Sequence, residues 1–259
     1  MKISFFSVYK DRTTFVENQI SNLLNELEID IDNQNPDVII CIGGDGTFLK
    51  AIQNNLDRLN DVCFLGINNG KLGYFYDYTV DEIQEALSDL DNGRLVEKSF
   101  SLLEGTVVCE NETYDIAAVN EIKISSIYKT LECEVFINEE KLENFAGNGL
   151  IVSSQLGSTA LNKSVGGAII ETGVPCLELT PIAPVTNNLI SPLTNPLILK
   201  EDVDITIKGK FSDALVSFDN VLIEDRPLSI NVKKSSLKVK ILLKKNHSFI
   251  GSLKRSFIK

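Results

Sequence analysis

The stretch from Asp37 to Ala51, DVIICIGGDGTFLKA, constrains this chain more than any other. Val38 to Ile42 is a short apolar run, which suits a parallel strand buried on both faces. It breaks into Gly43-Gly44-Asp45-Gly46-Thr47, where three glycines in four positions let the backbone turn sharply and approach a ligand closely. Successive N–H groups in such a turn form a nest for an anion. Thr47 is placed to cap a helix opened by Phe48, Leu49, Ala51 and Ile52, and a helix N-terminus favours phosphate. Asp45 is the odd residue, a carboxylate where phosphates should dock. It makes sense if it holds a metal ion or takes a proton from an attacking hydroxyl. The same letters also fit a plain strand-to-helix turn with Asp as a turn residue.

The flanking pattern repeats this texture. Lys2 to Val8 reads as a first strand rather than a signal peptide, and Thr13 to Leu27 has helical spacing with a polar opposite face. Val62 to Ile67 is another buried strand, leading into a second glycine loop from Asn68 to Tyr74. Asp81 to Leu90 is a short helix that Asp91-Asn92-Gly93 stops. Alternating strands and helices predict an α/β domain with a parallel sheet, whose ligands sit beyond the carboxyl ends of the strands. Both glycine loops fall at that end and are expected to face one cleft. After about Glu97 the texture changes to many short strands separated by turns, which predicts an all-β, sandwich-like second domain. Ser101–Val108, Tyr114–Ser125, Leu131–Ile137, Leu150–Ser153, Pro196–Leu199, Val203–Ile207, Leu215–Asp219, Leu228–Val232 and Leu237–Leu243 are its expected strands, and Asn138–Lys141 is a turn. The expected division is 1–98, 99–236 and a closing segment 237–259.

Charge and cysteines narrow the partners. The 259 residues carry a net charge of −11, which argues against nonspecific binding to nucleic acid or anionic membrane. No apolar run approaches the roughly 20 residues that span a bilayer. Nine Lys/Arg and no Asp/Glu fall between Lys233 and Lys259. That tail is either a basic surface answering an acidic body or a segment returning to a phosphate-handling site. Cys41, Cys63, Cys109, Cys133 and Cys176 are odd in number, spread out and set among apolar residues, which reads as buried thiols in a reducing cytoplasm. His247 is the only histidine, so neither a His-dependent triad nor a zinc cluster is expected.

Two further stretches carry polar groups in apolar settings. AVNEIKI, Ala118 to Ile124, sets Asn120-Glu121 between apolar residues, and a carboxylate beside an amide binds hydroxyls well. An exposed strand pair would use the same letters. GNGLIVSSQLGSTALNKSVGGAII, Gly147 to Ile170, runs from a strand into small and hydroxyl-bearing residues that permit close approach of a flat or extended ligand. It lacks the GK[ST] ending of a P-loop.

Together these stretches resemble the bacterial NAD kinases in collinear order over nearly the whole chain. The matching motifs are GGDGT at Gly43–Thr47, GINNGKLGYF at Gly66–Phe75, NE at Asn120–Glu121 and GSTAxNKSxGGA at Gly157–Ala168; NPLIL and the closing HSFIGSLKRSFI match more weakly. GGDGT alone is shared with diacylglycerol and sphingosine kinases and with phosphofructokinases, and the combination is what is specific. The resemblance implies an α/β domain and a β-rich domain, with the closing segment packed back on the first. It implies phosphoryl transfer from ATP, or polyphosphate in some members, to the 2′-hydroxyl of the adenosine ribose of NAD, with a divalent metal such as Mg2+, for which Asp45 is the candidate ligand. It also implies a homodimer or homotetramer with NAD held partly across subunits. Residue by residue, Asp45 takes the catalytic aspartate's place and Gly44 and Gly46 bed the phosphates. Asn120 and Glu121 hold ribose hydroxyls, and Thr159, Ala160, Asn162 and Ser164 belong to the stretch lining the adenine and ribose pocket. Lys50 either faces a phosphate or is a solvated surface lysine.

The pattern is broken in three places. Asn148 stands in GNG where the family has GDG, and keeps an acceptor but loses a charge. Leu161 stands in STAL where the family has STAY, and removes an aromatic face. One base–aromatic stack contributes roughly 1–3 kcal/mol, so NAD affinity about five- to 150-fold weaker is compatible with intact chemistry. Tyr74 is the aromatic residue placed to compensate. Ser154-Gln155-Leu156 replaces the usual TPT. These changes leave open a divergent nucleotide-binding paralogue with a regulatory role, and the shared GGDGT turn leaves a lipid kinase as a further reading. The lipid kinase is disfavoured by the acidic body and the lack of an amphipathic membrane stretch.

Overall fold

A computed structural model describes residues 1–70, 73–186, 188–209, 211 and 213–258, and of residues 10–12 the backbone alone. Lys71 and Leu72 of the second glycine loop, and Lys259 of the basic tail, lie outside the described residues. The chain divides into two units, Met1–Phe100 with Leu237–Lys259, and Ser101–Ser236.

The first unit begins β1 (Lys2–Phe6), α1 (Lys10–Glu26), β2 (Asp30–Ile31), β3 (Val38–Gly43), α2 (Asp45–Gln53), β4 (Cys63–Asn68), β5 (Tyr78–Thr79) and α3 (Ile83–Asp91). Then β6 (Leu95–Cys109) leads into the second unit: β7 (Thr113–Ala118), β8 (Glu121–Ser126), β9 (Leu131–Ile137), β10 (Glu140–Gly147), β11 (Gly149–Ser154), α4 (Leu161–Ser164), β12 (Cys176–Ile182), β13 (Leu197–Lys200), β14 (Asp204–Lys208), β15 (Ala214–Phe218) and β16 (Val221–Ile223). The long strand β17 (Pro227–Lys244) returns to the first unit, which closes with α5 (Phe249–Phe257).

In the first unit β2, β1, β3, β4 and the second half of β17 lie side by side, all parallel. The apolar run of β3 is central because both its faces are covered. Val38, Ile40 and Ile42 join Ile20 and Leu24 of α1 and Leu87 and Leu90 of α3 in one core. On the other face Phe64 of β4 meets Phe48 of α2, with ring centroids 6.0 Å apart. Phe75 stacks on Phe48 at 5.1 Å and Tyr76 meets it edge-on at 5.7 Å. This aromatic cluster seats the helix that follows the glycine turn.

The second unit is a β-sandwich. One sheet is antiparallel in the order β13-β12-β11-β8-β15-β16. The other contains β10, β9, β14 and the first half of β17, with β6 and β7. Alternation decides which side chains turn inward. Ile122 and Ile124 of β8, Leu150 and Val152 of β11, and Leu177 and Leu179 of β12 fill one core with Leu131, Cys133 and Val135 of β9 and Ile205 and Ile207 of β14. Asn138 and Glu139, both at positive φ, form the two-residue turn between β9 and β10.

Several boundaries differ from those read in the sequence. The helix α2 opens at Asp45 with extended Gly44 as its N-cap, so Thr47 lies inside the first turn and does not cap it. The carbonyl of Gly44 already takes the N–H groups of Thr47 and Phe48, at 2.8 and 3.2 Å. Tyr114–Ser125 breaks at Val119-Asn120 into β7 and β8. The two strands expected at Leu228–Val232 and Leu237–Leu243 are one, β17, because the intervening Ser235 is buried and the chain never turns. The five cysteines are free, with Cys63 only half-buried.

Candidate active site

In the first unit the two glycine loops meet through Asp45. Its carboxylate accepts the main-chain N–H of Tyr74 at 3.0 Å and of Phe75 at 3.2 Å. A Cβ on Gly73 would lie 2.4 Å from Asp45 Oδ1, so a residue without a side chain is required for this close approach. Burial raises the Asp45 pKa from the ordinary carboxylate value, and the two N–H bonds oppose that rise. The phenol of Tyr76 donates to the Gly44 carbonyl at 2.7 Å, and Asn68 donates to the Gly43 carbonyl at 3.1 Å. The remaining side-chain oxygen of Asn68 is buried and without a partner among the described residues. Gly44, Gly46 and Lys50 are exposed and Tyr74 is half-buried. Lys50 lies in the last turn of α2, away from the helix start.

A magnesium ion can be tested against this turn. Among the described residues no group of three or more His, Cys, Asp or Glu side chains is placed to hold a metal. Mg2+ commonly needs only one or two carboxylates when substrate phosphates supply other ligands. Asp45 fits that lesser demand, since each of its oxygens is engaged by a single N–H bond.

In the second unit Asn120 and Glu121 stand where the chain turns out of β7 into β8, not on an exposed strand pair. They are only 6% and 7% exposed, yet Asn120 Oδ1 and Glu121 Oε2 have no partner among the described residues. Burial, the nearby Asp219 charge and, in opposition, Lys123 bring the Glu121 pKa up to about 8. The corner is tied to the segment after β11. Ser154 donates its main-chain N–H to the Asn120 carbonyl at 2.9 Å and its hydroxyl to the Val119 carbonyl at 2.6 Å. Gly157 packs on the corner so closely that a Cβ there would lie 2.0 Å from the Asn120 carbonyl oxygen.

The remaining predicted residues divide into buried and exposed. Thr159 is buried, and its hydroxyl donates to the Leu156 carbonyl at 3.2 Å; Ala160 is half-buried. Asn162 is fully buried and donates to Glu178 at 2.6 Å, while Glu178 also accepts the Ala168 N–H at 2.7 Å. Asn162 therefore acts at least as a tie within this segment. Ser164 and Leu161 are exposed at α4, and Asn148 is exposed between β10 and β11. The peptide of Asn148 bonds Ile182 and Ser126 through its main-chain groups, so the fold accepts Asn there in place of Asp.

Sequence reasoning missed Tyr76, Asp219 and Asp77. Asp77 is buried 2.9 Å from His247 Nδ1 and 3.1 Å from Arg255, and it accepts the Lys244 main-chain N–H at 3.1 Å. Lys244 also pairs with Glu82 and Glu85, each at 3.1 Å. These basic residues of the tail answer acidic partners in their own unit. The signal for Asp219 was its place at a turn, which did not reveal its target.

A carboxylate opening a helix behind a glycine turn, at the carboxyl end of a parallel strand, is an arrangement that a phosphotransferase acting on a hydroxyl can use. Known proteins narrow the class. The profile described as the ATP-NAD kinase N-terminal domain matches residues 6–95, and that of the ATP-NAD kinase C-terminal domain matches residues 119–245. The NAD kinase of Leuconostoc mesenteroides subsp. mesenteroides is 32% identical over 100% of this chain and 98% of its own length. That of Lactobacillus johnsonii is 36% identical over 85% of this chain and 83% of its own. This chain belongs to the ATP-NAD kinase family. Two solved structures share its fold. Yeast NADH kinase complexed with NADH has a TM-score of 0.84 at 20% identity, covering 98% of this chain and 85% of that one. An NAD kinase from Archaeoglobus fulgidus in complex with ATP has a TM-score of 0.75 at 22% identity, covering 98% of each.

Proposed function

We propose that this protein is an NAD kinase, transferring the γ-phosphoryl group of ATP to the 2′-hydroxyl of the adenosine ribose of NAD to give NADP and ADP. The observation that carries the reading is the half-buried Asp45 carboxylate, fixed by the Tyr74 and Phe75 N–H groups at the start of α2. A ribose hydroxyl is a poor nucleophile. Asp45 orients it and takes its proton as the oxygen bonds to phosphorus and the bond to the ADP oxygen breaks. A carboxylate with a raised pKa is a better proton acceptor than an ordinary one. Positioning and charge stabilisation supply most of the rest of the rate in phosphoryl transfer.

The exposed Gly44 and Gly46 bed the phosphates, with Lys50 a further cation of the same helix. Asn120 and Glu121 hold ribose hydroxyls with their unpartnered buried oxygens. Thr159, Ala160, Leu161, Asn162 and Ser164 line the base and ribose side, with Asn148 and Tyr74 as further contacts. Magnesium, held by Asp45 and the substrate phosphates, would neutralise phosphate charge when bound. The reading extends to a cytoplasmic homodimer or homotetramer, and the five free thiols support a reducing compartment. No described helix is long and apolar enough to cross a membrane.

The test is direct. Purified protein mixed with NAD, ATP and Mg2+ should form NADP, measured by a coupled dehydrogenase specific for NADP. Repeating it with polyphosphate identifies the donor, and with NADH the acceptor. No NADP with any donor contradicts the proposal.

A further inference from the structure

The corner that carries Asn120 and Glu121 presents a physical problem. Its two side-chain oxygens are buried and unpartnered, and native structures seldom leave such atoms so without a ligand to meet them. Something must stop the corner from relaxing to satisfy them internally. The main chain shows what does. The N–H groups of Val119, Asn120 and Glu121 all converge on the carboxylate of Asp219, at 2.9, 2.8 and 3.4 Å. The Asp219 N–H donates back to the Glu121 carbonyl at 3.0 Å. Three successive peptide groups are thus held by one side chain that lies about a hundred residues away in sequence.

Asp219 begins the two-residue turn joining β15 to β16, where Phe218 pairs with Val221. It sits at φ +46, in the left-handed region. A turn alone would accept Asp, Asn or Gly there. It does not require a carboxylate aimed at another strand. We propose that Asp219 is a positioning residue, whose carboxylate holds the Asn120–Glu121 corner in the shape that offers both side chains to the dinucleotide. The inference rests on the NAD kinase reading and adds to it a determinant of NAD affinity that touches no substrate. A second consequence supports it. Asp219 is the charge that, after burial, keeps Glu121 protonated at neutral pH, while Lys123 is the cation that opposes it. A protonated Glu121 can both donate to and accept from a ribose hydroxyl.

Two variants separate this role from that of the turn. Asp219→Gly keeps the left-handed turn and removes the carboxylate; Asp219→Asn keeps the turn and one acceptor oxygen. NAD affinity is read by titration calorimetry of the full chain, with KM for NAD and ATP, melting temperature and the pH dependence of NAD binding. Loss of charge-assisted bonds should weaken NAD binding about tenfold or more in Asp219→Gly, and less in Asp219→Asn. KM for ATP should stay within about twofold if only the corner is loosened. The pH at which NAD affinity changes should also fall below about 8 in both, since each lacks the charge beside Glu121. Unchanged NAD affinity in a folded variant overturns the inference, as does an equal loss toward NAD and ATP or an unmoved pH dependence. Where only one variant folds, that one decides. If neither folds, Asp219 is structural and the inference fails. Wild-type protein that binds no NAD overturns the proposed function itself, and this inference with it.

Discussion

The hydroxyl of Tyr76 donates to the carbonyl oxygen of Gly44 at 2.7 Å, so the residue immediately before Asp45 is pinned from the far side of the second glycine loop. That carbonyl already accepts the first two N–H groups of α2. The bond therefore does little for the helix and much for the angle at which the turn presents Asp45. Tyr76→Phe keeps the buried ring on Phe48 and removes only this bond. It should cost about 1 kcal/mol of stability. It should lower kcat severalfold with KM for NAD nearly constant, as steady-state kinetics and urea unfolding would show. Wild-type kcat would mean that the turn holds its angle without Tyr76.

Gly73 is the other contact that places the carboxylate. A methyl group there would lie 2.4 Å from Asp45 Oδ1, and the carboxylate must move to admit it. A shift near 1 Å at a reacting group costs roughly 10²-fold in rate, so Gly73→Ala should lose about that much kcat while remaining folded. Circular dichroism and turnover measured on the same preparation check both halves of the statement.

These two contacts show what the sequence could and could not disclose. Asp45 was legible because strand, glycine turn and helix are consecutive, and the apolar run from Val38 to Ile42 fixes a doubly buried strand. The helix start was misplaced at Thr47 because the N-cap is a glycine, which leaves no side-chain signature. The Asn120–Glu121 pair was visible as polar residues between apolar ones, but its geometry was not. The break at Val119-Asn120 is held by Asp219, and local periodicity carries no trace of a partner so distant. Asp77 and His247 are likewise 170 residues apart. Lys233 to Ser236 falls between two expected strands, whereas the strand runs straight through it with Ser235 buried.

Glu121 makes stability depend on pH. Its folded pKa, about 8, lies above the ordinary Glu value of 4.5. The folded state thus retains a proton that the unfolded chain gives up. The stability this contributes is full below the ordinary value and is lost as pH rises through about 8. Between pH 5 and 8.5 the wild-type melting temperature should fall by roughly 2–6 °C more than that of Glu121→Gln, in differential scanning calorimetry. Parallel melting curves would show that Glu121 is already ionised at neutral pH.

Asp77 acts in the opposite direction. Burial opposes its charge, but His247, the Lys244 N–H and Arg255 outweigh burial and hold its pKa below the ordinary value. Its contribution is present above the ordinary Asp pKa and lost as pH falls through the lowered one. Asp77→Ala should cost about 2 kcal/mol. It should also free α5, so that trypsin cuts after Lys254 and Arg255 faster than in the wild-type protein. An unchanged cleavage rate would show that α5 is held by its other contacts.

The central claim is that Asp45 takes the proton from the 2′-hydroxyl of NAD, and Asp45→Asn tests it most directly. Asn keeps the shape and an acceptor oxygen for the Tyr74 or Phe75 N–H, but cannot act as the base. NADP formation from NAD and ATP should fall about 10²–10⁴-fold, with NAD affinity measured by calorimetry nearly unchanged. Turnover within a fewfold of wild type would contradict the account and remove Asp45 from the chemistry.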